Sequence, residues 1–192
     1  MARIPVVIVA LIVSAPAAAY AQGTVKPFAG VNFGARHGFI DLDAAAGRVQ
    51  PTFGGAVGWE SSGAWTVEAE LATAPKFLKG DSGVVETGRV DTFFANASWR
   101  LRTPASRLRP YVAAGFGAAR VTVKDVLGAF NSTSTLAAAN IGGGIIVGTS
   151  TGMRLIGDAR YVRSRYGDAR AAGLGEEFVA YWRATGGVLF RF

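Results

Sequence analysis

The chain has no cysteine, and beyond its first 21 residues it has no apolar run approaching the roughly 20 residues that a spanning helix needs. The missing cysteine excludes a disulfide scaffold and a thiolate-ligated metal, without identifying a compartment. The missing runs leave a question, because the mean hydropathy of the 192 residues is still positive at +0.28. Concentrated charge is scarce too. The formal excess of +7 is mostly dispersed, which argues against a nucleic-acid partner. One local run stands out, Arg100, Arg102, Arg107 and Arg109 around Pro104; it could face phosphate groups, and a solvated turn is the blander reading.

What is present begins with a targeting segment. Arg3 precedes the uncharged run Ile4 to Ala19, and Ala19-Tyr20-Ala21 closes it before Gln22. A basic start, an apolar centre and an A-x-A-like site describe a secretory signal peptide, residues 1–21, leaving 22–192 as one domain. The alternative is an N-terminal membrane anchor, against which Pro16 and the alanine run mark an end.

The apolar character of the remainder lies in alternation. In Phe178 to Phe192, one face carries Phe178, Ala180, Trp182, Ala184, Gly186, Val188, Phe190 and Phe192; the other carries Val179, Tyr181, Arg183, Thr185, Gly187, Leu189 and Arg191. Period two is the signature of a β-strand. Seven earlier segments share it: Thr24–Arg36, Val49–Glu60, Trp65–Thr73, Arg89–Leu101, Arg109–Val123, Ala138–Thr149 and Met153–Ser164. The fifth is irregular, since Arg120 follows Val112, Ala114, Phe116 and Ala118 on the outward face; a bulge or an exit from the membrane near Ala119 would resolve it.

The connections read long, short, long, short, long, short, long, with long loops at His37–Arg48, Pro75–Gly88, Lys124–Leu136 and Arg165–Glu177. An up-and-down antiparallel sheet then gathers the long loops at one end. Trp59, Trp65 and Trp99 border short turns, at the end where Phe190 and Phe192 must lie, and form an expected interface girdle; Phe33, Tyr161, Phe178 and Trp182 form the opposite one. A soluble calycin-like barrel would place its apolar faces inward instead. The girdles, the alternating connections and the terminal aromatic favour a membrane barrel, which must close because unpaired backbone groups cannot face hydrocarbon.

The closing Gly186-Gly187-Val188-Leu189-Phe190-Arg191-Phe192, with Val188, Phe190 and Phe192 on alternate positions, resembles the C-terminal signal read by the barrel-assembly machinery. Asn96-Ala97-Ser98-Trp99-Arg100-Leu101 with Arg109-Pro110-Tyr111-Val112-Ala113-Ala114-Gly115-Phe116-Gly117 resembles a hairpin of eight-stranded outer-membrane barrels of the OmpA and OmpX type. The resemblance implies an all-β, eight-stranded antiparallel transmembrane barrel in a bacterial outer membrane. Its implied partners are the bilayer with its lipopolysaccharide, the assembly machinery and an unknown surface ligand, and its implied state is a monomer.

An eight-stranded lumen is just wide enough to be filled by side chains. Inward candidates are Glu68, Glu70, Arg100, Asp158, Arg160, Arg183 and Arg191, and opposed charges in a poorly solvated interior must pair. A salt-bridge network plugging the barrel is one expectation; a wet lumen is the other. No cofactor or metal is expected. Enzymatic lipid modification would need His37 with Asp81 and Ser82, whose spacing is not a motif, and Ile141-Gly142-Gly143-Gly144 lacks the third glycine of a dinucleotide fingerprint. The expected function is therefore non-enzymatic, structural or surface-binding through the loops, with narrow solute or ion passage as the alternative.

Overall fold

A computed structural model of the chain describes residues 22–37, 49–78, 85–101, 107–125, 131–148, 153–165 and 178–192. The signal-peptide reading of residues 1–21 lies outside them. Eight strands are present: β1 (Gln22–His37), β2 (Gln50–Glu60), β3 (Trp65–Leu78), β4 (Val85–Arg100), β5 (Leu108–Asp125), β6 (Asn131–Gly148), β7 (Arg154–Arg165) and β8 (Phe178–Arg191). Each pairs antiparallel with its sequence neighbours, and β8 pairs with β1, so the sheet is a closed barrel. Closure is completed by the end of the chain: Gly23 and Phe192 exchange backbone N–H···O bonds of 3.1 Å in both directions.

The register fixes the stagger. From Thr24 the paired residues run Gly58, Glu68, Asn96, Gly115, Asn140, Val162 and Tyr181. Tyr181 lies ten residues along β8 from Arg191, the direct partner of Thr24. Such a stagger goes with strands tilted by roughly 40°.

The burial pattern is inverted relative to a soluble barrel. Phe116 is 72% exposed, Ile141 64% and Leu71 63%, whereas Arg160, Arg183, Glu70 and Asn96 are 2% or less. An apolar exterior this continuous fits a lipid environment. It settles which face of each strand points inward.

Three sequence expectations change. The third long loop, Lys124–Leu136, is largely strand, since β5 runs to Asp125 and β6 begins at Asn131, with Thr122 opposite Thr133 and Val121 opposite Ser134. Polarity loses its period there because both faces are polar, while the backbone ladder continues. The second loop shrinks likewise, to the residues between Leu78 and Val85, so the long and short connections alternate less regularly than the sequence suggests. The bulge offered for Arg120 does not occur: the β5–β6 register is continuous from Leu108 to Lys124, and Arg120 stays exposed on the outer face near the end of its strand. The described bulge that bends β1 lies between Phe33 and Arg36, where Gly34 adopts φ +62°, a conformation glycine takes without strain.

The candidate site: a layered, charged lumen

The inward residues of β7 pass through the lumen in order. From the short-turn end they are Arg154, Ile156, Asp158, Arg160 and Val162, and each belongs to a different layer or to the central charged pair of residues. At the long-loop end Val162 joins Ala74, Phe77, Val90, Phe94, Ala119, Ala138 and Tyr181 in an apolar plug, in which the Phe77 and Tyr181 rings meet edge to face at 5.0 Å. Nearer the short turns, Ile156 packs with Tyr111, Ala113 and Ile146.

Between these apolar layers lies an ionic network. Glu68 accepts from Lys26 at 2.9 Å and from Arg160 at 3.0 Å. Glu70 accepts from the Arg183 guanidinium, and its other oxygen lies 3.3 Å from Arg160 Nη1. Arg160 Nε donates to Asp158 at 2.8 Å, and the Tyr111 hydroxyl donates to the same carboxylate. Asn96 Nδ2 lies 3.4 Å from both Glu68 and Glu70, and its own Oδ1 accepts from Asn140 Nδ2 at 2.9 Å. Three cations, Lys26, Arg160 and Arg183, thus face three carboxylates, Glu68, Glu70 and Asp158. The layer is electrically neutral.

Its satisfaction is incomplete in a specific place. Arg160 Nη1 has its ion pair with Glu70 without good hydrogen-bond geometry, and Arg183 Nε and Nη1 have no hydrogen-bond partner. The Arg183 guanidinium instead stacks over the Phe28 ring, 5.6 Å from its centroid, where the π-face offers partial compensation. Glycines provide the room. A Cβ on Gly115 would strike the Asn96 amide, and one on Gly144 would come within 2.8 Å of the Tyr111 hydroxyl.

At the short-turn mouth Glu60 is 4% exposed and is approached by three guanidinia, those of Arg100, Arg154 and Arg191, with Arg154 Nη1 at 3.5 Å. Arg100 also donates to the Ser61 carbonyl at 3.1 Å and to that of Gly63, tying the β2–β3 turn to the rim. Outside this rim, Trp65 and Trp99 are cross-strand partners whose rings meet edge to face at 4.3 Å; Trp59 on β2 and Phe190 on β8, the two strands that flank β1, are exposed, and Phe192 is 82% exposed. At the other end, Tyr161 and Trp182 meet at 5.3 Å, with Phe33 opposite Trp182.

The seven charged lumen candidates therefore divide. Glu68, Glu70, Asp158, Arg160 and Arg183 meet in the neutral layer; Arg100 and Arg191 meet at the mouth. Arg191 pairs with Glu60, not with the central carboxylates. Lys26, Glu60, Arg154 and Tyr111 were absent from the candidate set. Parity identifies all four: Lys26 is two residues before inward Phe28, Arg154 two before Ile156, and Glu60 and Tyr111 are in register with inward residues. His37 ends β1, and Asp81 and Ser82 lie outside the described residues. Among the described residues no cluster of acidic, histidine or cysteine ligands could hold a metal ion.

No protein-family model matches the chain, and no curated protein does. Solved structures do. Neisserial surface protein A aligns with a TM-score of 0.68 at 14% identity, over 90% of this chain and 99% of its own. Ail, the attachment invasion locus protein of Yersinia pestis in complex with the heparin analogue sucrose octasulfate, gives 0.52 at 15%, over 88% and 98%. The N-terminal β-barrel domain of Pseudomonas aeruginosa OprF gives 0.51 at 19%, over 89% and 97%. The chain shares the OmpA/OmpX-like eight-stranded fold of these outer-membrane barrels.

Proposed function

We propose that this barrel, sharing the fold of small outer-membrane proteins, resides in a bacterial outer membrane after removal of residues 1–21, as a non-enzymatic structural or surface-binding protein. The observation that carries this reading is the filled, self-neutralising lumen inside an apolar wall. Burying three ion pairs is costly unless every charge finds a partner, so a lumen built this way suits a closed plug better than a passage. The apolar plug of Phe77, Phe94, Val162 and Tyr181 stands across the same lumen, which disfavours solute or ion passage. Function then falls to the wall and the loop-bearing end.

Two features support lipid contact and insertion. An outer furrow of about 510 Å³ runs between Phe53, Leu71, Phe93 and Ala118 and is rimmed by Arg89, Asp91 and Arg120, a surface suited to acyl chains below anionic headgroups such as those of lipopolysaccharide. Exposed Phe190 and Phe192 suit recognition by the assembly machinery, and Trp59, Trp65 and Trp99 suit a bilayer interface. A surface ligand is the finer reading, supported by the crystallised complex of Ail with a sulfated sugar analogue. Cell fractionation with gel mobility before and after boiling tests the placement: outer-membrane recovery with a heat-dependent band shift is expected, and soluble periplasmic recovery would refute it. Planar-bilayer recording is expected to show no large stable conductance.

A further inference from the structure

The mouth at the short-turn end is built differently from the rest of the lumen. Its inward positions are the strand ends: Glu60 is the last residue of β2, Arg100 of β4, Gly148 of β6 and Arg191 of β8, while Arg154 is the first of β7. Arg109, second in β5, shares the inward parity of Tyr111 and pairs with inward Ile146; Thr66, second in β3, pairs with Glu60. Four strands therefore end in an inward arginine and one in a carboxylate, a formal excess of three positive charges on one rim. Three of those guanidinia, on Arg100, Arg154 and Arg191, converge on Oε1 of the single Glu60 carboxylate.

One carboxylate cannot balance four guanidinia held on a narrow ring, and the arginine side chains Arg100, Arg154 and Arg191 are only 12%, 16% and 25% exposed, so bulk water screens them incompletely. There is also space. A Cβ added to Gly148, between the strands of Arg109 and Arg154, would meet nothing within 4 Å. Directly inside the ring a cavity of about 30 Å³, lined by Thr24, Thr66, Ser98 and Tyr111 together with Glu60, Glu68 and Arg100, has room for one water, so the place for a larger anion is the open mouth outside it.

We propose that this mouth is a binding site for a small phosphate-class oxyanion. Guanidinium forks match phosphate oxygens in paired hydrogen bonds, and several on one ring complement a multivalent anion better than a monovalent one. The occupant is a dissolved anion, not a lipid headgroup: Arg100, Arg154 and Arg191 turn inward to Glu60, and the outward face of β2, β3, β4 and β8 at this rim carries exposed Trp59, Trp65, Trp99 and Phe190. Where the outer-membrane placement holds, the mouth opens on the periplasm; the anion chemistry itself does not depend on that placement.

The test is calorimetric titration of the full mature barrel, folded in uncharged detergent micelles at low salt, with inorganic pyrophosphate and then orthophosphate. Saturable binding is expected, tighter for pyrophosphate and weakened by added salt. Glu60→Gln removes the competing anion and tightens binding by about tenfold, while Arg109→Gln and Arg191→Gln each weaken it by about tenfold. Arg109 is exposed at the rim, so its variant probes the site without disturbing the Glu60 ion pairs. Arg163→Gln, at an exposed position near the far end of β7, leaves affinity unchanged. Absence of saturable binding, weaker binding by Glu60→Gln, an unchanged affinity for Arg109→Gln, or equal loss with Arg163→Gln would each overturn the site. Doping the micelles with phosphatidylglycerol is expected to leave the pyrophosphate affinity unchanged; competition would overturn the dissolved-anion assignment.

Discussion

The middle of the lumen and its short-turn mouth hold the same kinds of side chain in opposite arrangements. In the middle, Lys26, Arg160 and Arg183 meet Glu68, Glu70 and Asp158 one for one, and nearly all are buried. At the mouth, Arg100, Arg154 and Arg191 compete for Glu60 while remaining partly wet. Charge can be buried where it is matched and must stay near water where it is not. The first arrangement fixes the register of the strands around the plug; the second leaves a surplus field at an opening.

The sharpest way to break this contrast is to remove a shared carboxylate from the matched layer. Glu70 serves Arg183 and Arg160, so Glu70→Gln leaves two buried guanidinia short of an anion. A loss of about 3–5 kcal/mol is expected, read as a lowered urea midpoint for unfolding in micelles. Pairing Glu70→Gln with Arg183→Met should recover part of that loss, because the stranded charge is then gone. If Glu70→Gln were as stable as the parent protein, the matched layer would not be what holds the lumen closed.

A smaller effect is expected where the network touches an apolar layer. Tyr111 packs with Ala113, Ile146 and Ile156 and donates its hydroxyl to Asp158. Tyr111→Phe keeps the packing and removes one hydrogen bond to a charged group, worth about 1.5 kcal/mol since Arg160 still holds the carboxylate. The same denaturation series measures it, and a loss as large as that of Glu70→Gln would mean that the hydroxyl, not the guanidinium, fixes Asp158.

The fold was more legible in the sequence than the site, for a physical reason. A closed sheet between lipid and a packed lumen imposes period two on every strand, and runs such as Leu155, Gly157, Ala159 and Tyr161 against Arg154, Ile156, Asp158 and Arg160 carry that constraint openly. The period fades where both faces are polar, which is why Thr133 to Leu136 reads as loop although it is strand. Which charge meets which depends on stagger, and stagger leaves no local trace. Arg183 and Arg191 sit on one face of one strand, yet the ten-residue offset sends one to Glu70 and the other to Glu60.

The smallest expected effect sharpens the comparison from the mouth. Arg154 is one of three cations on one carboxylate, its side chain is 16% exposed, and its contact with Glu60 is long at 3.5 Å. Arg154→Gln removes one weak attraction and also the repulsion from Arg100 and Arg191, so the two changes oppose each other. The net should stay within about 1 kcal/mol in the urea series, the range of partly solvated ion pairs. Added salt should shrink even that difference, because ions screen the repulsion among the rim arginines and reach the buried pairs of the matched layer far less. A loss comparable to that of Glu70→Gln would place Arg154 in the structural frame and erase the distinction between a matched interior and a surplus-charged opening.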